Sequence, residues 1–410
     1  MKQHFAAKHP WTILAAGAAI QVLTGIPAAW GVFQQPVMEE YGLSPQGAGY
    51  AFSLLIAAFG VGCVMGGFLQ DRHGPRCAGL WGTGLLCGGF FAAAMLPAGS
   101  AWAFFGAFSI PAGLGTAFLY PSIQSCAQKW YADRKGLATG VIGGAVGLSG
   151  AFLTLFVRAA VRGFGPVQGI RGAFWALGAV TLPVCLMGSL LLQDPPQGAK
   201  SQNVRTQQGL DLAPGQMLRT RQYWLCAGAV CFSTPAVLLF SPIILELGTQ
   251  RGLEEGAALW SVILGSVGSA AGRLLMPLLS DRIGRRPTDL LLFAASAGLS
   301  AWFAFAQGWA VVACYAGLTF CYSALAAVLP ALSTDLFGFP HAGVNYGFLA
   351  LGQSVGSLAF PLAADLLALE AGRHWLAAGA AGAGFAAILA LRPTADSGKA
   401  RTPSAEKTIH

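Results

Sequence analysis

The sequence predicts an all-α membrane protein of twelve transmembrane helices, and three observations carry that expectation. Residues of the AVILMFWYC set make up 55% of the chain and charged residues only 10%, against about 25% charged in an ordinary soluble domain. Near-uncharged stretches recur along the chain, each longer than the roughly 18 residues that carry a helix across a bilayer. A decapeptide pattern occurs twice, as GFLQDRHGPR over Gly67–Arg76 and PLLSDRIGRR over Pro277–Arg286. A strand barrel would alternate in polarity every second residue, whereas these runs are continuous and rich in Ala, Leu and Gly. A helix satisfies its own backbone hydrogen bonds in lipid, and the 56 glycines suit close helix contact there.

In chain order the expected spans fall near 11–37, 46–69, 77–98, 102–128, 136–160, 171–192, 222–246, 256–279, 288–306, 309–333, 344–368 and 374–392. The first is long enough to span and has no small-residue cleavage site, so it reads as a retained helix and not a signal peptide. The longest polar stretch, DPPQGAKSQNVRTQQGLDLAPGQMLRTR, covers 194–221. It is expected to link a six-helix bundle over 1–193 to a second over 222–392, with a tail at 393–410. Within it, Pro214–Gln222 is expected to form a short interfacial helix.

Orientation follows from the loops. Eighteen of the 24 lysines and arginines fall on one side, against five on the other: Arg158, Arg162, Arg171, Arg251 and Arg373. Both termini are therefore expected in the cytoplasm, with the chain in the cell inner membrane. The net charge of +8 is then a cytoplasmic rim facing anionic lipid and calls for no nucleic acid. The nine cysteines are scattered, none in a CxxC pair, and read as small buried hydrophobes rather than a metal or disulfide framework. No cofactor is implied. No Ser/His, Asp/Asp or HExxH constellation lies in the spans, so an enzyme is not expected.

The two copies of the decapeptide follow the second and eighth spans, so each half carries it in the same loop. Paired repeats about a midplane site are a common architecture of secondary carriers. The pattern G-x-x-x-D-R-x-G-x-R resembles the signature loop of the major facilitator superfamily. That resemblance implies its fold of two six-helix bundles and a gating role for Asp71, Arg72, Arg76, Asp281, Arg282 and Arg285. A carboxylate at such a helix end can hold arginines or an amide-rich helix terminus; orientation alone would explain the basic residues but not the glycine or the aspartate. Four further stretches are similar to the branch of monocarboxylate transporters and oxalate/formate antiporters. They are GIPAAWGVFQQPVMEEYGLS (Gly25–Ser44), KWYADRKGLATGVIGGAVGLSG (Lys129–Gly150), APGQMLRTRQYW (Ala213–Trp224) and NYGFLALGQSVG (Asn345–Gly356).

Arg273 is the sharpest single residue. It lies inside the eighth span, about seven residues or roughly 10 Å from one end at 1.5 Å per residue. Gly265, Ser266 and Ser269 precede it at helical spacing. An arginine at that depth is a functional candidate, and its planar fork suits a carboxylate; the alternative is an arginine snorkelling to the surface. The resemblance agrees, since carriers of this branch place an anion-binding arginine in the eighth helix. It also brings departures. Oxalate carriers have a lysine in the eleventh helix where this chain has Gln353, and animal monocarboxylate transporters an aspartate where it has Ser269. One fixed cation balances one negative charge, which favours a monocarboxylate such as lactate or pyruvate over oxalate.

Tyr120, Tyr322, Gln21, Gln353 and Asn345 are the candidate polar partners of the substrate, while Trp30 and Phe348 read as cavity wall or core. For a coupling proton, His374, with Asp365, is the candidate, because histidine titrates in the useful range; the proton can also travel on the substrate as the neutral acid. The expected function is a proton-coupled monocarboxylate symporter, monomeric in the bilayer. An anion exchanger, a channel and a non-transporting receptor on the same fold are the rival readings.

Overall fold

A computed structural model describes residues 10–131, 135–165, 169–194, 212–338, 341–367 and 372–391. Most of the expected linker and the whole of the expected tail lie outside these residues. Apart from a single turn before the seventh, the described residues form twelve helical segments. The first six are α1 (Pro10–Tyr41), α2 (Pro45–His73), α3 (Pro75–Met95), α4 (Ala101–Trp130), α5 (Lys135–Phe164) and α6 (Gly169–Leu191). The seventh, α7, is built from three pieces, Arg221–Ser233, Pro235–Leu238 and Ile244–Gln250. Then follow α8 (Glu255–Ile283), α9 (Arg285–Phe303), α10 (Trp309–Phe337), α11 (Ala342–Leu366) and α12 (Arg373–Leu389).

Nine of these helices are long and apolar enough by themselves to cross a membrane. The other three have local reasons for falling short. Pro235 and Pro242 cannot donate to a helical ladder, so the seventh span is broken where the sequence suggested one continuous helix. The first turns of α9 carry Arg285, Arg286 and Asp289, and α12 is only 17 residues long. The expected interfacial helix at Pro214–Gln222 is a single turn, Pro214–Met217; a turn of that length has too few internal bonds to propagate.

The doubled motif folds the same way twice. Gly74 and Gly284 end α2 and α8 at φ 85° and 93°, a region costly for any residue with a Cβ. Their N–H groups close the last turns on Gln70 and Ser280 carbonyls at 2.8 and 3.0 Å. Elsewhere, Ser44 caps α2 by accepting from Gly47 N–H at 3.0 Å, with Pro45 in the first turn.

The first bundle closes on an aromatic centre. Trp30 stacks with Phe33 and Phe108 at centroid distances of 6.3 and 6.2 Å, and Phe52 lies 5.9 Å away. Trp30 therefore belongs to the core and not to a cavity wall. The second bundle packs around Phe240, Phe303 and Tyr315 at one end and Phe293, Tyr223 and Phe337 at the other, where Phe348 also packs. Inside lipid this packing draws on dispersion and shape more than on water release. The outer surface shows Trp11, Trp81, Trp102, Trp224 and many leucines, as a lipid-facing surface does.

Two seams join the bundles. Along α2 and α11, Ser354 Oγ donates to the Ala57 carbonyl at 2.8 Å and Ser357 Oγ to the Ser53 carbonyl at 3.2 Å. The seam continues to Gly67 against Gly343 at one face and to Tyr50 against Asp365 at the other, where the phenol donates at 3.0 Å. Along α5 and α8, Gly140, Gly143, Gly147 and Gly150 face Leu274, Arg273, Ala270 and Ser266. A third contact joins α1 to α7, where Ser241 Oγ donates to the Pro27 carbonyl at 3.3 Å.

Candidate functional site

Between the bundles lies a cavity of about 130 Å³, lined from α1, α2, α4, α5, α7, α8, α10 and α11. Its α8 wall carries Gly265, Ser266, Ser269 and Arg273, the face that helical spacing assigned to the interior. Glycine at 143 lets α5 lie against the arginine stem: a Cβ there would sit 3.2 Å from Arg273 Cβ. The guanidinium is half-buried and lies beside the Tyr120 phenol of α4. Arg273 Nε has no hydrogen-bond partner. Among the described residues lining the cavity, Arg273 is the only charged one. A partly desolvated cation with unused donors favours an anion beside it.

The remaining polar groups form two pairs of walls. Gln21, fully buried in α1, accepts from Thr24 Oγ1 at 2.5 Å, and its Nε2 is without a partner. Opposite, Gln353 Nε2 of α11 donates to the Tyr322 hydroxyl of α10 at 2.5 Å. Ser269 and Ser323 hydroxyls lie 2.6 Å apart, and Thr319 Oγ1 donates to the Gly265 carbonyl at 2.8 Å. The structure thus brings together five of the expected substrate contacts: Arg273, Tyr120, Tyr322, Gln353 and Gln21.

Asn345 is elsewhere, which corrects its expected place in the cavity. Its amide donates to the Leu212 carbonyl at 3.1 Å and ties the approach to α7 onto α11. Periodicity explains the difference, since Asn345 lies two turns before Gln353 and nearer the helix end. The two expected proton groups are also outside the cavity lining and have separate surroundings. His374 lies 3.3 Å from Arg251 and packs on Phe240 and Phe303 at 4.9 and 5.2 Å. Asp365 accepts from Tyr50 and sits 3.8 Å from Arg373, facing a separate pocket with Gln34 and Glu246.

The doubled motif is asymmetric in its contacts. Asp281 pairs with Arg285 one turn on at 2.6 Å, and Arg285 reaches Asp335 of α10 at 3.4 Å. It also donates to the Ser280 hydroxyl. In the first copy Pro75 occupies the equivalent of Arg285. Asp71 instead faces the first turn of α11, with Gly343 beside its carboxylate and Lys129 and His341 as the nearby basic side chains. There the positive end of the α11 dipole meets it. Arg72, Arg76 and Arg282 are exposed.

Several lining residues escaped the sequence reading: Thr24, Thr116, Tyr315, Thr319, Ser323 and Tyr346. The signal was present on α10, where Tyr315, Thr319, Tyr322 and Ser323 repeat at helical spacing on one face. Asp289 was missed as well. It opens the expected ninth span directly after a basic loop, is 3% exposed and lines a second cavity beside the first.

Comparison with known proteins agrees with this architecture. The profile of the Major Facilitator Superfamily matches residues 14–288 and 236–409. The oxalate:formate antiporter of Oxalobacter formigenes is 26% identical over 341 residues, 82% of this chain and 79% of that protein. Monocarboxylate transporter 11 of Homo sapiens is 27% identical over 300 residues, 71% of this chain and 61% of that one. Among solved structures, the proton:xylose symporter XylE bound to 6-bromo-6-deoxy-D-glucose superposes with a TM-score of 0.74 at 15% identity. The match covers 93% of this chain and 94% of that one, a likeness of fold.

Proposed function

This chain belongs to the Major Facilitator Superfamily of membrane transporters, and on that premise we propose that it carries small monocarboxylates by alternating access, with Arg273 binding the carboxylate. The observation that carries this reading is the single charge of the cavity lining. One cation neutralises one carboxylate in a site where an unpaired charge costs several kcal/mol. A dianion would leave its second carboxylate facing Gln353, Tyr322 and serine hydroxyls, which solvate a charge without cancelling it. The cavity size suits an anion of lactate or pyruvate dimensions. The names of the two curated relatives, an oxalate:formate antiporter and a monocarboxylate transporter, point to the same substrate class.

In the proposed cycle, Tyr120, Tyr322, Gln21 and Gln353 orient the substrate by hydrogen bonds. Asp71, with Arg72 and Arg76, and Asp281, with Arg282 and Arg285, steady one face in its closed form. That face is the cytoplasmic one by the bias of lysine and arginine, in the inner membrane, with the carrier working as a monomer. Proton symport is the leading coupling mode. Exchange of two monoanions is the second reading, favoured by the antiporter likeness.

The test is uptake of labelled L-lactate into proteoliposomes with an acidic exterior, for the intact protein and Arg273→Ala. Accumulation that needs both the pH gradient and Arg273 supports the symporter. Flux only into vesicles preloaded with a second anion supports exchange, and no lactate flux in either format rejects the substrate class.

A further inference from the structure

We propose that Asp289 is the carboxyl that takes up the coupled proton, a reading that rests on the carrier function above. Asp289 stands in the second turn of α9, 3% exposed, and its Oδ1 has no hydrogen-bond partner. It lines a cavity of about 40 Å³ inside the second bundle. That cavity and the central one share Tyr322, Tyr346, Ala326 and Gln353 as a common wall. The Gln353 to Tyr322 hydrogen bond runs within this wall, so a change at either cavity meets the same two side chains.

The groups facing Asp289 do not settle its charge. On its own helix Arg285 is nearby, but that guanidinium is engaged by Asp281 of α8 and Asp335 of α10. Cys226 faces it from α7, Tyr322 from α10 and Tyr346 from α11, all neutral groups. From α12 the cavity receives Ile388, which does not titrate. The rest of the lining is Phe293, Leu325, Leu329 and similar apolar side chains. An ionised carboxylate there is poorly compensated, and the neutral acid relieves that cost.

Counting the buried charges of both cavities shows why this couples proton to anion. Unloaded, Arg273 is positive and ionised Asp289 negative, so the second bundle's interior is neutral. Loaded with a monoanion and a proton, Arg273 offsets the carboxylate and Asp289 is neutral, so the sum is again zero. Anion without proton leaves one negative charge, and proton without anion leaves one positive charge. Closing the site around an uncompensated charge carries a desolvation penalty, so the neutral forms are the ones that cross. The step itself is simple: water delivers a proton to a carboxylate oxygen on one side of the membrane, and the same O–H bond breaks to water on the other.

The experiment compares two transport formats for the intact carrier and Asp289→Asn in proteoliposomes, using labelled L-lactate. Uphill uptake driven by a pH gradient is expected to fall about tenfold or more, while counterflow into lactate-loaded vesicles stays within about threefold. Loss of both formats equally, or of neither, overturns the proposal when the variant is monodisperse. Infrared titration provides a second reading: a carboxyl band that grows in the intact protein as the pH is lowered is expected to be absent in Asp289→Asn, and a band unchanged by the substitution overturns it. If Asp289→Asn does not fold, Asp289→Glu is expected to keep gradient-driven uptake with a displaced pH profile, and an unmoved profile overturns the assignment. If the intact protein moves no monocarboxylate, the carrier reading fails alone and the infrared band still decides whether Asp289 binds a proton.

Discussion

Arg273 of α8 lies beside Tyr120 of α4 in the cavity, so the cation of one bundle faces a phenol of the other. A substrate carboxylate bound at Arg273 would therefore sit on the boundary along which the bundles must move. The guanidinium retains further donors, Nε among them, so an anion can be gripped in the planar fork without first displacing Tyr120.

Arg273→Ala is expected to raise the Kd for L-lactate about 30-fold or more, since truncating one member of a buried charge pair costs about 2–5 kcal/mol. Arg273→Lys is expected to recover only part of this, because an ammonium supplies the charge without the fork. Binding of labelled lactate to purified protein measures both.

Tyr120→Phe removes the hydroxyl beside the guanidinium and leaves the ring against Phe59. A hydrogen bond to a charged group is worth about 1.5–3 kcal/mol. The expected result is an apparent affinity lower by about tenfold, with the melting temperature little changed. Equal loss of stability and affinity would assign Tyr120 to packing instead.

Gln353→Lys places a second cation on the wall opposite Arg273. Oxalate, which the wild type is expected to bind weakly, should then inhibit lactate uptake at about tenfold lower concentration. Competition curves for oxalate and lactate on the two proteins give the answer. An unchanged order of preference would show that cavity charge does not set selectivity.

Most of the scaffold is legible in the sequence, because the solvent dictates it. Twelve apolar runs, one doubled loop and a lone intramembrane arginine needed only periodicity and charge. Helix breaks were less visible: proline marks a possible interruption, but Pro36, Pro121 and Pro183 lie inside continuous helices while Pro235 follows a break. At the site, the facing of Arg273, Tyr120 and Gln353 followed from depth along each span. Asn345 failed because depth alone does not say which loop will claim an amide. Asp289 escaped notice for a different reason: it opens the ninth span directly after Arg285 and Arg286, and only the packing of α9 shows it buried.

Gly147→Val is expected to hold the carrier apart at the α5–α8 seam. A Cβ at this position would meet the backbone of Ala270, which has no flexible side chain to move aside. Overpacking of this kind costs about 1–3 kcal/mol. The expected outcome is a lower melting temperature together with transport reduced about tenfold, read by thermal unfolding and lactate uptake on one preparation.

The α2–α11 seam has a mechanical consequence. Its serines donate to main-chain oxygens, and Ser357 already touches a second acceptor, the Ser354 carbonyl in its own helix, at 3.0 Å. When the bundles part, such a hydroxyl can turn back onto its own helix, so no donor is stranded in hydrocarbon. The joint behaves as a bearing with low friction: adhesive enough to align two rigid bodies, yet with contacts that can be traded one at a time. A seam of interlocked leucines would have to release its whole surface at once, and would turn more slowly.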